Sequence, residues 1–174
     1  MDESWRVDLM RRYPQLFEGS GYPTVGDGWQ DLLERALKRI AAAVSRDGVK
    51  ASIRIVQIKE KYGTIRIYRD GHKLSKKALA KVSEAIELAE ARSACTCEEC
   101  GAEGRLYDRN GWYLTRCPRH SDGEPVEIKP GWDNLRVVRT TGRGKVSVVS
   151  CRRYDRERDA FVEAPLPPDF DDES

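Results

Sequence analysis

GDGWQDLLERALKRIAAAV, residues 26–44, is followed at residues 50–70 by KASIRIVQIKEKYGTIRIYRD, and the change of hydrophobic period between the two decides the fold class. In the first stretch Trp29, Leu32, Leu33, Ala36, Leu37, Ile40, Ala43 and Val44 recur at steps of three and four, an apolar stripe along one face of a helix. Asp27 stands where an N-cap is expected, with Gln30 three residues on, the spacing of a capping box. In the second stretch Ile53, Ile55, Ile65 and Ile67 alternate with polar residues on either side of KYG, which predicts a β-hairpin half buried against helices. A helix over Glu3 to Arg12, stopped by Pro14, precedes the pair. Another, from about Leu74 to Ser93, follows it, with Leu79, Val82, Ile86 and Ala89 on one face and Ser75 near its start. The order helix, helix, strand, strand, helix is that of an α+β unit.

Directly after the third helix comes CEECGAEGRLYDRNGWYLTRCPRH, residues 97–120, with the spacing C-x2-C-x16-C-x2-H. Soft thiolates and imidazole suit zinc, and ligands two residues apart reach one ion because a tight turn brings both side chains to the same side. Cys97, Cys100, Cys117 and His120 are therefore the expected ligands of a structural zinc ion; redox cysteines are the competing reading. Gly101 lets the backbone fold closely around the Cys100 sulfur. Asn110-Gly111 accepts the positive φ angles of a two-residue turn, so a short hairpin should join the ligand pairs. Cys95 can replace Cys97 only with a longer spacing, and Cys151 lies in an apolar strand pattern where a small core residue is expected.

Four protein ligands close the coordination sphere, whereas catalytic zinc keeps a position open and needs an acid or base beside it. With His120 a ligand, His72 is the one histidine left, on the turn before the third helix. A nuclease of the HNH type needs more than this, so catalysis is not expected. No apolar run approaches a bilayer span, and the opening MDESWRVDLMRRYP lacks the apolar block of a secretory signal. A cytoplasmic protein without a membrane partner is expected, and an odd five cysteines fit metal in a reducing compartment better than a disulfide framework.

The net charge of +2 hides an uneven distribution. Lys129 to Arg158 holds nine Lys and Arg against three acids, and Ala160 to Ser174 five acids and no base. Two readings stand: a footprint for an anionic partner, or a tail that folds back on its own neighbour. LRVVRT, KVSVVSCRRY and DAFVEA read as two or three strands, and the stretch from Lys129 to Tyr154 that holds the first two and the TGRG between them carries Arg136, Arg139, Arg143, Lys145, Arg152 and Arg153, with Trp132 and Tyr154 interleaved. Basic residues among aromatics are what single-stranded nucleic-acid binders present, and equally what protects an edge strand. A second basic group, Lys73, Lys76, Lys77 and Lys81, lies at the third helix's start, where the helix dipole calls for acids; bound phosphate or a plain solvated face would account for it.

The expected architecture is α+β: helices packed on a β-hairpin (1–94), a small zinc-ribbon or treble-clef-like module (95–122), a C-terminal β segment (123–164) and a frayed acidic tail (165–174). Three segments together, YPTVGDGWQDLLERAL, VQIKEKYGTIRIY and the 97–120 stretch, resemble a family of uncharacterised proteins carried by tailed bacteriophages and prophages. The resemblance covers roughly residues 10 to 120. It implies that Cys97, Cys100, Cys117 and His120 match the family's metal ligands and Gly111-Trp112 its hairpin turn, and it places the protein in the cytoplasm of a bacterial host. The family carries no established activity. Its context implies an accessory protein that binds a host protein or protein–nucleic-acid complex, as a counter-defence inhibitor would. Direct nucleic-acid binding through the basic strands is the alternative.

Overall fold

The computed structural model describes residues 4–170 apart from Ser20, Val49, Arg143 and Gly144, without the side chains of Ser4, His72 and residues 140–149. It is mixed α+β, with helices and several small antiparallel sheets, and divides into two compact units, Met1–Pro125 and Val126–Ser174.

The first unit opens with α1 (Ser4–Arg12) and a short α2 (Pro14–Phe17). Pro14 separates the two, but it also starts the second, since its fixed φ and missing N–H are tolerated in a first helical turn. A single 3-10 turn (Asp27–Trp29) leads into α3 (Gln30–Ser45), whose apolar stripe is buried from Leu32 to Ala43. The hairpin follows as β1 (Ser52–Lys61) and β2 (Thr64–His72), joined by Tyr62 and Gly63 at φ +55° and +75°. A bulge between Ile55 and Gln57 turns Val56 outward and returns Ile58 to the buried face. Ile53, Ile55, Ile58, Ile65 and Ile67 pack with Leu9, Leu16, Trp29, Leu33, Leu37, Ile40 and Val82 in one core.

Two local expectations are corrected. Asp27 does not cap α3. Its carboxylate instead accepts hydrogen bonds from Trp5 Nε1 (2.9 Å) and the buried Arg6 guanidinium (2.8 Å), while Arg6 also reaches the Val25 carbonyl. The capping spacing misled because a buried arginine competes for the same carboxylate. In α4 (Lys76–Ser93) the inward face is Ala78, Val82, Ala85, Leu88 and Ala89, and Leu79 is left exposed one position round the helix. Ser75 is the N-cap of α4, its Oγ accepting from the Ala78 N–H (3.1 Å). At the other end of α4 the Ser93 Oγ accepts from the Ile65 N–H (2.9 Å), tying the helix to β2.

The unit closes with β3 (Arg105–Arg109), β4 (Trp112–Arg116) and β5 (Glu124–Pro125), in the order β4-β3-β5. The second unit is a sheet of its own, β6 (Leu135–Gly142), β7 (Lys145–Asp155) and β8 (Ala160–Glu163), antiparallel in that order. The chain beyond β8 is not frayed as far as Phe170. Pro167 is buried, and the Phe170 ring stacks on Trp132 with centroids 6.0 Å apart.

Candidate metal centre

Cys97 and Cys100 stand on a tight turn that follows α4 after a short connector. The Cys97 N–H donates to the Ala102 carbonyl (2.8 Å) and the Gly101 N–H to the Cys97 carbonyl (2.9 Å), with Gly101 at φ +75°. Cys117 and His120 sit on a second turn after β4, closed by the His120 N–H on the Cys117 carbonyl (3.0 Å). Between them β3 and β4 pair from Arg105 against Arg116 to Arg109 against Trp112, and Asn110 and Gly111 make the turn at φ +53° and +87°. The hairpin thus carries the chain away from one pair of ligands and back to the other.

The four ligand atoms all lie within 4.8 Å of one another. Cys100 Sγ and Cys117 Sγ are 3.7 Å apart, and His120 Nδ1 is 3.6 Å from Cys97 Sγ and 3.4 Å from Cys117 Sγ. Around a single tetrahedral ion with zinc-like bond lengths, sulfur–sulfur and sulfur–nitrogen edges measure about 3.8 and 3.5 Å. The residues present therefore fit a metal ion held by three thiolates and Nδ1 of His120. Burial raises the Cys97 thiol above its ordinary value. Burial works in the same direction on Cys117, but the backbone N–H groups of His120 and Arg119 and the Cys100 and Cys97 side chains outweigh it and bring it to about 6. A thiol ready to lose its proton is what a metal ligand requires.

Cys95 is buried outside the cluster, its Sγ donating to the Arg92 carbonyl (3.3 Å) at the end of α4. Cys151, on β7, is half-buried rather than a core residue, and its Sγ donates to the Pro165 carbonyl (3.5 Å).

The seat under the first turn is the GDGW segment. The Gly28 N–H donates to the Glu98 carbonyl (2.8 Å), the Gly26 N–H to Glu98 Oε1 (3.0 Å) and Trp29 Nε1 to the Thr96 carbonyl (2.8 Å). A Cβ on Gly28 would lie 2.3 Å from the Cys97 carbonyl oxygen and 2.6 Å from the Cys100 nitrogen, so only glycine allows this approach. Arg116 pairs with Glu98 (3.0 Å) and Glu99 (2.9 Å), and the buried Thr115 Oγ1 donates to the Gly63 carbonyl (2.6 Å). The hairpin of the metal cluster is by these bonds part of the first unit.

The basic residues singled out in the sequence fall in both units, each taken by itself. Lys73, Lys76, Lys77 and Lys81 are exposed around the start of α4. Asp47, from the loop after α3, already occupies that helix end: its carboxylate accepts from the Ser75 N–H (2.7 Å) and from the Ser75 hydroxyl. On the second unit Arg136 lies opposite Arg152, but strand alternation sends Arg153 to the other face, where it donates to the Gly131 carbonyl (2.9 Å) and pairs with Asp133 (3.6 Å). Trp132 and Arg139 both meet Phe170, and Trp132 Nε1 donates to Asp169 (2.7 Å), which also pairs with Lys129 (3.3 Å). Tyr154 is buried with its hydroxyl on Asp159 (2.7 Å), which removes it from any stacking surface. Arg143 and the side chains of Lys145 and His72 lie outside the described residues.

One surface escaped the sequence reading. The tips of the two hairpins enclose a cleft of about 320 Å³ lined by Glu60, Lys61, Tyr62, Gly111, Trp112 and Tyr113. Both turns, KYG and NGWY, carry aromatic residues beside a glycine, and that shared feature was the available signal.

The chain matches no family model, no curated protein and no solved structure. Among the described residues, no helix is long and apolar enough to cross a membrane.

Proposed function

We propose that this is a zinc-stabilised binding protein that acts by docking on a macromolecule of a bacterial host, as a phage-borne counter-defence inhibitor would. The cluster of Cys97, Cys100, Cys117 and His120 carries this reading. Zinc is the ion that three thiolates and one imidazole at tetrahedral spacing favour. Four protein donors complete its sphere, so the ion holds a zinc-ribbon-like hairpin in shape and supplies no open position for substrate. A hairpin of this length cannot fold on its own buried surface, and metal binding makes up the deficit. What the metal then presents to solvent is the hairpin tip, where Trp112 is 69% exposed. Large aromatics held rigidly in the open are the usual anchors of protein interfaces. The likeness of residues 22–37, 56–68 and 97–120 to the phage family supports the host context.

Metal analysis of the purified chain, joined to a tagged pull-down from bacterial lysate with and without nuclease, tests the reading. One zinc per chain and specific proteins retained after nuclease are expected. A metal-free folded chain, or material lost entirely with nuclease, would count against it.

The docking of Phe170 and Asp169 on Trp132, Arg139 and Lys129 favours a second reading. A ring stacked on tryptophan and arginine beside a carboxylate on lysine imitates a base and its phosphate, so the second unit would bind single-stranded nucleic acid once its tail is displaced. Deleting residues 166–174 should then strengthen oligonucleotide binding, with an affinity that falls steeply as salt rises. Unchanged affinity would make the tail a spectator.

A further inference from the structure

The cleft between the hairpin tips has a chemistry of its own. Tyr62 is 65% exposed and Trp112 69%, with Tyr113 at 37%. Side chains of this size are rarely left in water on both sides of one depression without a partner. They are also held still. Each tip is a two-residue turn in the left-handed region, the Thr115 hydroxyl ties the second hairpin to the first at Gly63, and the metal cluster fixes the root of the second.

Glu60 is the acid of the cleft. One carboxylate oxygen accepts the Gly63 N–H (2.6 Å), and among the described residues no cation stands in ion-pair contact with it, while the Arg116 and Arg66 charges act on it from further off. Burial raises its pKa above the ordinary value; the Gly63 bond opposes this, the Glu98 charge adds to it, and the Arg116 and Arg66 charges oppose it. A half-buried carboxylate outside ion-pair contact, set beside ring faces that are themselves negative, favours a cation over phosphate at its free oxygen. Lys61 also lines the cleft, with its ammonium 5.2 Å from the Tyr62 centroid, which leaves the exposed Trp112 as the ring open to an incoming cation. A cation on one of these rings is therefore an arrangement the chain itself adopts.

We propose that this cleft is where the protein takes hold of its partner, and that it receives a guanidinium group, an arginine side chain on a protein loop. The assignment rests on the binding-protein reading above and adds the chemistry of the contact. A planar guanidinium stacks on Trp112 while its edge donates to the free oxygen of Glu60, which a lysine ammonium cannot do with the same geometry. The cleft volume suits one such head group and its stem, and the exposed rings around it supply the surrounding contact.

The test is a nuclear magnetic resonance titration of the full, metal-loaded chain with a short glycine-serine peptide carrying one arginine. Its lysine and citrulline counterparts and a short thymidine oligonucleotide are titrated in parallel. The arginine peptide should shift the Trp112 indole and the Gly63 and Gly111 amides saturably, and the citrulline peptide should not. Glu60→Gln keeps an oxygen for the Gly63 N–H but loses the charge, and should weaken binding about tenfold. Trp112→Ala, at an exposed position, should abolish it. No shift at millimolar arginine peptide, or equal response to citrulline, overturns the proposal. Shifts of the same resonances by the oligonucleotide alone would make the cleft a base-stacking surface and overturn it as well. A Trp112→Ala chain that still captures its protein from lysate refutes the cleft and spares the binding reading. A wild-type chain that captures none refutes the reading itself.

Discussion

The Gly28 amide donates to the Glu98 carbonyl over 2.8 Å, so the loop that starts α3 and the turn that holds Cys97 and Cys100 are built against one another, backbone to backbone. A β-carbon at residue 28 has nowhere to go, because the atoms it would meet belong to the main chain of Cys97, Cys100 and Gly101. Gly28→Ala should therefore lower stability by about 1–3 kcal/mol, the range for forcing extra volume into a packed contact. It should also speed metal loss to a chelator, although residue 28 touches no ligand atom. Thermal melts and a chelator-competition time course measure the two effects. Unchanged metal retention would show that the cluster holds its shape without this seat.

Cys100→Ser and Cys95→Ser separate ligand from bystander. The first removes one of four donors and should leave the chain without bound metal. Because the metal turn is hydrogen-bonded to Gly26, Gly28 and Trp29, the melting of the whole first unit should fall, not that of the hairpin alone. Cys95 is turned to the Arg92 carbonyl, so Cys95→Ser should keep the full metal content. Elemental analysis of both variants decides, and the reverse pattern would move the ligand set by two residues.

The α3 stripe, the β1 and β2 alternation and the convergence of the two Cys/His pairs were legible because each rests on a local pattern that the fold leaves intact. The role of Asp27 was not. Asp27 with Gln30 three residues on spells a capping box, and nothing near them in the chain announces that Arg6 will be buried, 1% exposed, against the same carboxylate. Leu79 failed for a related reason: both Ala78 and Leu79 suit a helix face, and the tight packing of α4 against its neighbours selects the smaller. The basic strands read as one patch because sequence records charge without face, whereas alternation and the returning Phe170 divide it. Long-range partners decided every one of these cases.

Asp27→Ser tests the buried pairing directly. Serine is as good an N-cap as aspartate, so a capping role would leave stability almost unchanged. As the partner of Arg6 and Trp5, however, Asp27 neutralises a guanidinium that has no access to water, and its loss should cost about 2–4 kcal/mol, at or just below the range for breaking a buried pair because Asp27 is itself partly exposed. Chemical denaturation of the variant measures this. A loss below about 1 kcal/mol would restore the capping assignment.

Asp47 links α3 to α4 through a relay in which the Ala78 N–H donates to Ser75 Oγ and the Ser75 hydroxyl and N–H donate to the Asp47 carboxylate. The side-chain and then the backbone hydrogen bond from Ser75 hold the Asp47 carboxyl below its ordinary value of 3.8. A depressed folded-state pKa means that the ionised group stabilises the fold above the unfolded value, and that this contribution disappears as pH falls through the folded value. Asp47→Asn should accordingly melt below the parent chain by a margin that stays constant from neutral pH down to about pH 5 and narrows only in more acid solution. Paired melts across that range, with both chains loaded with metal, give the margin directly. If it instead closes between about pH 7 and 6, a group with a histidine-like pKa controls the α4 start and the Asp47 relay does not.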